Sequence, residues 1–363
     1  MPAILANQLG NNLEIEATID GQEFLDWVSL KYTAEVNKGR SVSFAIAGHE
    51  SLERCRLGGI VKIEVGRGGQ THNLTFEGII QQVRPSVAIS SVTAVDYVTQ
   101  LANSEIVRYQ EQDVIGRDLY YLAADAANYK SVDVSQLTEG SGLMVTSDLA
   151  PKLTGHMTRK DFMDNCFNYM IKSFQDSYHE SNLVYIPWRY AIHERGLMNF
   201  FLADYAHARA RSVITVSPNH MNLTGEGIQA QIDTTRMVNS ATFISSNDES
   251  VYATVSDAGR IKQYGPQGKK FTFDTDRKDR LEELAMDEIS RFGDPTLSYT
   301  VEMSDGEWIA LGDLVRVQVP SLKRDDILPV VRYETTIADE ITTLLTLGEP
   351  SLSMAEYIDL LKS

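Results

Sequence analysis

The chain has 363 residues, a hydrophobic content of 43% and a formal net charge of −17, enough material for two or three domains with a substantial core. The acidity argues against a dedicated nucleic-acid-binding surface, because neutralising phosphates takes clustered Lys and Arg. It reads as support for solubility, and it leaves room for a nucleic acid passing an acidic wall that repels it.

Residues 12–48 predict strands. Leu13, Ile15, Ala17 and Ile19 alternate with polar partners, and Asp20-Gly21 is a hairpin-turn signal. Residues 24–32 and 41–47 continue the pattern, with Val42, Phe44 and Ile46 on one face. At 57–65 a Leu-Gly turn opens a strand in which Val61, Ile63 and Val65 face one side and Lys62 and Glu64 the other. Gly66-Arg67-Gly68-Gly69 reads as a hairpin loop, and 74–83 as a strand stopped by Pro85. With 87–95 added, residues 1–106 form one expected antiparallel β-domain, a barrel or a sandwich.

The periodicity changes near residue 107. Asp113 is placed to cap a helix in which Ile115, Leu119, Leu122 and Ala126 share a face. Thr158-Arg159-Lys160-Asp161 resembles a capping box with Asp in place of Glu. The helix behind it carries a broad stripe of Phe162, Met163, Cys166, Phe167, Met170, Ile171 and Phe174, which implies burial against two elements. Two strands, 183–192 and 197–203, follow, and Pro187 puts the first at an edge or on a bulge. Residues 107–212 are thus expected to be a small α+β domain.

Residues 213–350 return to strands, with 237–244 and 251–255 as the first candidates. A helix is predicted over 277–292, capped by Asp276, with Leu281, Leu284, Ala285, Ile289 and Phe292 as its apolar face. A strand at 297–303 precedes a second Leu-Gly strand at 311–319. There Val315, Val317 and Val319 repeat the inward alternation, and Arg316 and Gln318 face outward. Strands at 330–337 and 341–347 complete this second β-domain, and the tail 351–363 is expected to be helical, with Tyr357, Leu360 and Leu361 on one side.

No catalytic constellation is visible. The chain has no HExxH, GxSxG or Walker loop, and Cys55 and Cys166 make no metal or disulfide spacing, so they read as buried thiols from a reducing compartment. His179-Glu180 and His193-Glu194 read as solvated turn residues, Gly225-Glu226-Gly227 is too short for a dinucleotide fingerprint, and Asp274, Asp276 and Asp279 lack cation-loop spacing. Ile186, Trp188 and Tyr190 share one strand face that suits packing better than base stacking, and Trp308 reads as buried. No catalytic, cofactor or metal residue is assigned. The first ten residues lack a basic n-region, and no apolar run approaches the roughly 20 residues that span a bilayer, so cytoplasmic synthesis without membrane insertion is expected.

The order of the motifs resembles the baseplate hub proteins of bacteriophage tails and related contractile injection machines. Leu57 to Val65 leads to Phe76-Glu77-Gly78-Ile79-Ile80 and then to Val92 through Leu101, which looks like the first tube-like domain of that family. Met237 to Thr242, Ile261 to Gly265 and Leu311 to Val315 look like its second, and Val184 to Phe201 is similar to the insert between them. The resemblance implies an α+β, mainly β fold: two tube-like antiparallel β-barrel domains related by internal duplication (1–106 and 213–350), an inserted α+β domain (107–212) and a helical tail (351–363). It further implies a structural, non-enzymatic hub in the virion. Its homotrimer would form a pseudo-hexameric ring that adapts a hexameric tail tube to a trimeric central spike or fibre. The implied partners are tail tube or distal tail proteins, a separate spike or fibre chain and a tape measure protein, with DNA only in transit through the lumen. Lys62, Glu64, Arg316 and Gln318 are the candidate interface residues. The alternatives are a tail-tip cell-wall hydrolase acting through a carboxylate pair, and a receptor- or carbohydrate-binding tail-tip protein using Trp188 and Trp308.

Overall fold

A computed structural model of the chain describes residues 13–348 apart from 25–26, 48–51, 68–73, 131, 136–139, 148, 176–182, 193–196, 203–213, 219–222, 305, 307–308 and 339. The predicted tail helix lies outside the described residues. Contacts divide the described chain into two compact units, one drawn from 1–172, 187–229 and 300–347, the other from 173–186, 230–299 and 348–363.

The first unit begins with β1 (Leu13–Ile19), β2 (Gln22–Glu23), β3 (Trp27–Glu35), β4 (Ser41–Ala47), β5 (Ile60–Arg67), β6 (Leu74–Arg84) and β7 (Ile89–Val95). Asp20 and Gly21 take φ of 50° and 77°, as the tight β1–β2 hairpin requires. Strand alternation buries Val42, Phe44 and Ile46 of β4 and Val61, Ile63 and Val65 of β5, none more than 4% exposed.

Short helices follow: α1 (Val98–Ala102), then β8 (Val107–Tyr109), α2 (Glu111–Val114), α3 (Leu119–Ala127), α4 (Ala150–Leu153), β9 (Gly155–Met157) and α5 (Arg159–Tyr169). The single helix expected from Asp113 is two. Gly116 at φ 75° breaks it, Asp113 serves the capping box of α2, and Asp118 caps α3 through the Tyr120 amide at 2.8 Å. The Thr158–Asp161 capping box of α5 forms as expected. That helix stops at Tyr169, and Ile171 opens a strand, so Ile171 and Phe174 are not on its face. Strands β10 (Ile171–Gln175), β11 (Leu183–Ile192) and β12 (Met198–Leu202) form a three-stranded sheet with β11 in the middle, so Pro187 does not mark an edge strand. Within the first unit, Trp188, Tyr190, Ile192, Met198 and Phe200 share a core with Leu119, Leu122, Phe162, Met163 and Cys166.

Next come β13 (Ile214–Val216) and β14 (Leu223–Asp233). The second unit is built from β15 (Ser240–Ser245), β16 (Tyr252–Ser256), α6 (Ala258–Tyr264), β17 (Gly268–Phe273) and α7 (Lys278–Phe292). β15 lies between β16 and β17, antiparallel to the first and parallel to the second. Leu281, Ala285 and Ile289 of α7 close a small core with Val238, Ala241 and Phe243. Two expectations for α7 are corrected. Its N-cap is Arg277, because the Asp276 carboxylate accepts from Ser245 Oγ at 2.6 Å instead, and Phe292 in the last turn is 38% exposed.

The chain ends in β18 (Thr296–Ser304), β19 (Leu314–Val319), β20 (Arg324–Ile337) and β21 (Ile341–Gly348). The long sheet has 13 strands in the order β14-β18-β21-β20-β3-β4-β7-β6-β5-β1-β2, with β19 on β20 and β13 on β19. The protein is mainly β, its large sheets are mostly antiparallel, and among the described residues none is closed. One pairing order thus occurs twice: β3-β4-β7-β6-β5-β1, and β14-β18-β21-β20-β19-β13. The two differ at their last pair, where β1 runs antiparallel to β5 and β13 parallel to β19.

Candidate functional site

The two Leu-Gly strands repeat in detail. Gly58 and Gly312 both sit in the left-handed region, at φ 84° and 83°, where a side chain would be strained. The Gly58 N–H donates to the Ile80 carbonyl at 2.9 Å, and the Gly312 N–H to the Val330 carbonyl at 2.9 Å. The return bonds run from Ile80 N–H to Gly59 and from Val330 N–H to Asp313. Immediately afterwards each partner strand carries a register shift, between Ile80 and Gln82 in β6 and between Val330 and Arg332 in β20. Ile80 and Val330 are therefore equivalent positions, and so are Lys62 and Arg316, each four residues past its glycine.

The four candidate interface residues stand on strands paired along both edges, so they offer side chains rather than free backbone. Lys62 lies 3.4 Å from Glu77 on the next strand. Arg316 makes a two-pronged pair with Asp325 at 2.7 and 2.6 Å, which holds that carboxylate below its usual range, and Gln318 donates to the same carboxylate at 3.4 Å. Glu64 is half-buried on β5.

Which strand shares its backbone edge is not marked by any residue pattern in the sequence. β20 uses one edge twice: residues 324–329 pair with β19, and 332–337 pair with β3. Cross-strand ion pairs line this second contact, Lys31 with Glu334 at 2.6 Å and Arg332 with Glu35 at 3.9 Å. Beneath it Tyr333 stacks on Tyr32 with centroids 5.5 Å apart, and the Tyr333 hydroxyl donates to that of Tyr32 at 3.3 Å. Tyr32 in turn receives Arg40 Nη1 at 3.5 Å. Arg40 and Asp96, 3% and 1% exposed, form a buried pair: the Asp96 carboxylate accepts the Arg40 amide at 2.7 Å, Arg40 Nε at 3.4 Å and the Val98 amide at 3.1 Å. Burial pushes the Asp96 carboxyl up, and Arg40 and the two amides pull it back. Buried Arg40 and Asp96 carried no local pattern in the sequence; only the fold brings them together.

The other singled-out residues take structural places. Trp188 and Tyr190 are buried, and Tyr120 packs edge-on against Trp188 at 5.4 Å. The Tyr190 hydroxyl donates within 2.6 Å of the Asn37 carbonyl and 3.1 Å of Asp164. Gly225 to Gly227 belong to β14, and Gly66 and Arg67 to β5. Asp274 accepts from Asn247 at 2.8 Å, and Asp279 pairs with Arg277. Both cysteines are buried, which pushes the Cys55 thiol up to about 11 and the Cys166 thiol up to about 12. His179, Glu180, His193, Glu194 and Trp308 lie outside the described residues, as does the side chain of Ile186. Among the described residues no three His, Cys, Asp or Glu side chains gather as a metal site needs, and no helix is long and apolar enough to cross a membrane.

No family model matches the sequence, and no curated protein matches it. Solved structures do. The chain is similar to the tail protein from Neisseria meningitidis MC58, with 16% identity, 93% of this chain and 97% of that one covered, and a TM-score of 0.63. It is similar to the 43 kDa tail protein of prophage MuSo2 from Shewanella oneidensis, with 12% identity, 92% and 98% covered, and a TM-score of 0.58. A chain of the Francisella PdpA-VgrG complex follows at 7% identity, 94% and 59% covered, and a TM-score of 0.50. The fold is therefore that of phage tail proteins, in keeping with the hub family that the motif order resembles.

Proposed function

We propose that the chain is a structural hub of a phage-type tail tip, three copies of which form a ring of six similar β-units. Each copy would supply two units, so that one side matches a hexameric tail tube and the other a trimeric spike or fibre carried by a separate chain. The observation that carries this reading is the strand order that occurs twice, with its matching glycines and bulges, in a chain of tail-protein fold. A pseudo-sixfold ring needs two similar units per copy, and an internal repeat is the economical way to supply them. The likeness to tail proteins supports a place in the virion tail, beside tube, distal tail and tape measure proteins. The net charge of −17 suits a lumen that passes DNA without holding it.

The test is the mass and symmetry of the purified full-length chain. Light scattering is expected to give three times the chain mass, and negative-stain averages a ring with sixfold pseudo-symmetry. A monomer at every concentration, in the presence of tail particles too, overturns the hub. Charge reversal by Lys62→Glu or Arg316→Glu is expected to reduce ring formation at least tenfold while shifting folding stability by about 1 kcal/mol or less, as exposed ion pairs do. Intact rings with a destabilised monomer would remove these faces from the interface.

A further inference from the structure

The bulges of β6 and β20 are equivalent, but they are not met by the same groups. At β20 the chain that follows β3 reaches the bulge: the Val331 carbonyl accepts the Val36 N–H at 2.9 Å, and the preceding Glu35 lies 3.9 Å from Arg332. An acidic residue and the amide after it therefore serve that position. Gln81, which matches Val331, instead borders a cleft of about 180 Å³ together with Thr99 and Gln100 of α1, Asn103 just past it, and Lys130. The Gln100 Oε1 is shielded from water and has no hydrogen-bond partner among the described residues. The rim of the cleft is cationic, in a chain of net charge −17. Lys130 takes a φ of 51°, which lysine seldom does, and its ammonium stands 4.8 Å from the centre of the Tyr129 ring. The Arg159 guanidinium stands 4.8 Å from the same ring, and its Nε is shielded with no acceptor among the described residues. The Arg159 amide is tied at 3.0 Å to Ser104, the neighbour of Asn103. Among the described residues no carboxylate pairs with Lys130 or Arg159.

We propose that this cleft binds a short acidic segment of a second protein, its backbone N–H on the Gln100 amide oxygen and its carboxylate on Lys130 and Arg159. The chemistry is that of Glu35 and Val36 at the β20 bulge, supplied from outside the chain. The proposal stands apart from the hub reading, since nothing in it needs a ring. A peptide fits better than a phosphate polymer. It brings N–H donors for the unpaired amide oxygen and apolar side chains for Ile79 and Ile80, whereas phosphate brings acceptors only. The volume is below the roughly 300 Å³ at which drug-sized pockets begin, so the cleft takes a short segment rather than a folded surface. Gln100 Oε1 reaches the ligand by turning about the last side-chain bond, a soft rotation. An unpaired shielded acceptor is unfavourable, and a ligand N–H relieves it. The net negative charge does not prevent the approach of an acidic segment. At about 0.15 M salt charges are screened over roughly 8 Å, so the two cations at the rim outweigh the distant carboxylates.

The test is a fluorescence-anisotropy titration of the full-length chain against a fluorescein-labelled peptide of alternating glutamate and valine. A Kd below about 1 mM is expected, and the same peptide with glutamine for glutamate is expected to bind at least about tenfold more weakly. Lys130→Glu and Arg159→Gln are each expected to raise the Kd at least about fivefold. Lys130 is exposed, so its variant stands in where Arg159→Gln melts early. Gln100→Leu is expected to raise the Kd about threefold while leaving the melting midpoint unchanged or higher, because it removes an unpaired acceptor. A lower midpoint with unchanged binding would make Gln100 structural and overturn its role. No binding at about 1 mM, or equal binding of the glutamine peptide, overturns the proposal. Full displacement by inorganic phosphate also overturns it, leaving a simple anion site. A fall in oligomer mass on Lys130→Glu overturns it too, since another copy of the chain would then fill the cleft. Unchanged oligomer mass with weakened probe binding supports it. A monomeric chain that still binds the probe sinks the hub reading alone.

Discussion

Replacing Asp96 by alanine is expected to cost the first unit about 3–5 kcal/mol of stability, the range seen when one partner of a buried ion pair is removed. The carboxylate is 1% exposed and faces Arg40, which is 3% exposed. It also takes the Arg40 and Val98 amides, so the substitution removes an acceptor from backbone donors that water cannot reach. Asn at the same position retains an acceptor but loses the charge, and its cost is expected to fall between those of wild type and alanine. The paired change Arg40→Met with Asp96→Leu is expected to recover much of the loss, because it removes the charges together with their desolvation. Urea melts of the wild type, Arg40→Met, Asp96→Leu and the double variant close the cycle and give the coupling. A loss below about 1 kcal/mol for Asp96→Ala would mean that the pair does not hold the junction beneath Tyr32 and Tyr333.

The inward faces of the repeated strands are the second place where a large effect is expected. Ile63→Ala should cost about 2–4 kcal/mol, and Val317→Ala about 2 kcal/mol, since valine loses fewer methyl groups. Ile63 is 1% and Val317 0% exposed. Ile63 stands opposite Phe76 in the β5–β6 register. The space it borders with Phe24, Trp27, Leu30 and Phe44 is about 10 Å³, so the surroundings are already close-packed and a truncation leaves a new void. Denaturant midpoints at unchanged slope measure both changes. Losses well under the stated values would show that these strands do not bear on the core.

Much of this was legible locally. Hydrophobic alternation marked β4, β5 and β19 and their buried sides, because every second residue of a strand faces one way whatever the strand pairs with. The Thr158–Asp161 cap was readable because its partners lie three residues apart. The errors were also local competitions. Gly116 interrupts a helix whose apolar spacing continues past it, and Ser245, distant in sequence, takes Asp276 away from the cap it was assigned. The four candidate interface residues were chosen for facing outward from a repeated strand, a criterion blind to which backbone edges remain open.

The sequence by itself determined β4, β5 and β19 with their inward faces, the Leu-Gly repeat and, through motif order, the likeness to tail hubs. These rest on period-two alternation and short-range turns, and neighbouring residues carry that information. Tertiary structure alone decided that β3 fills an edge of β20, and that Arg40 meets Asp96 beneath Tyr32 and Tyr333. The β3–β20 contacts join residues roughly 300 positions apart, Tyr32 and Tyr333 by 301. Backbone donors and acceptors are alike in every strand, so the choice of partner depends on how the whole sheet packs and not on any one segment.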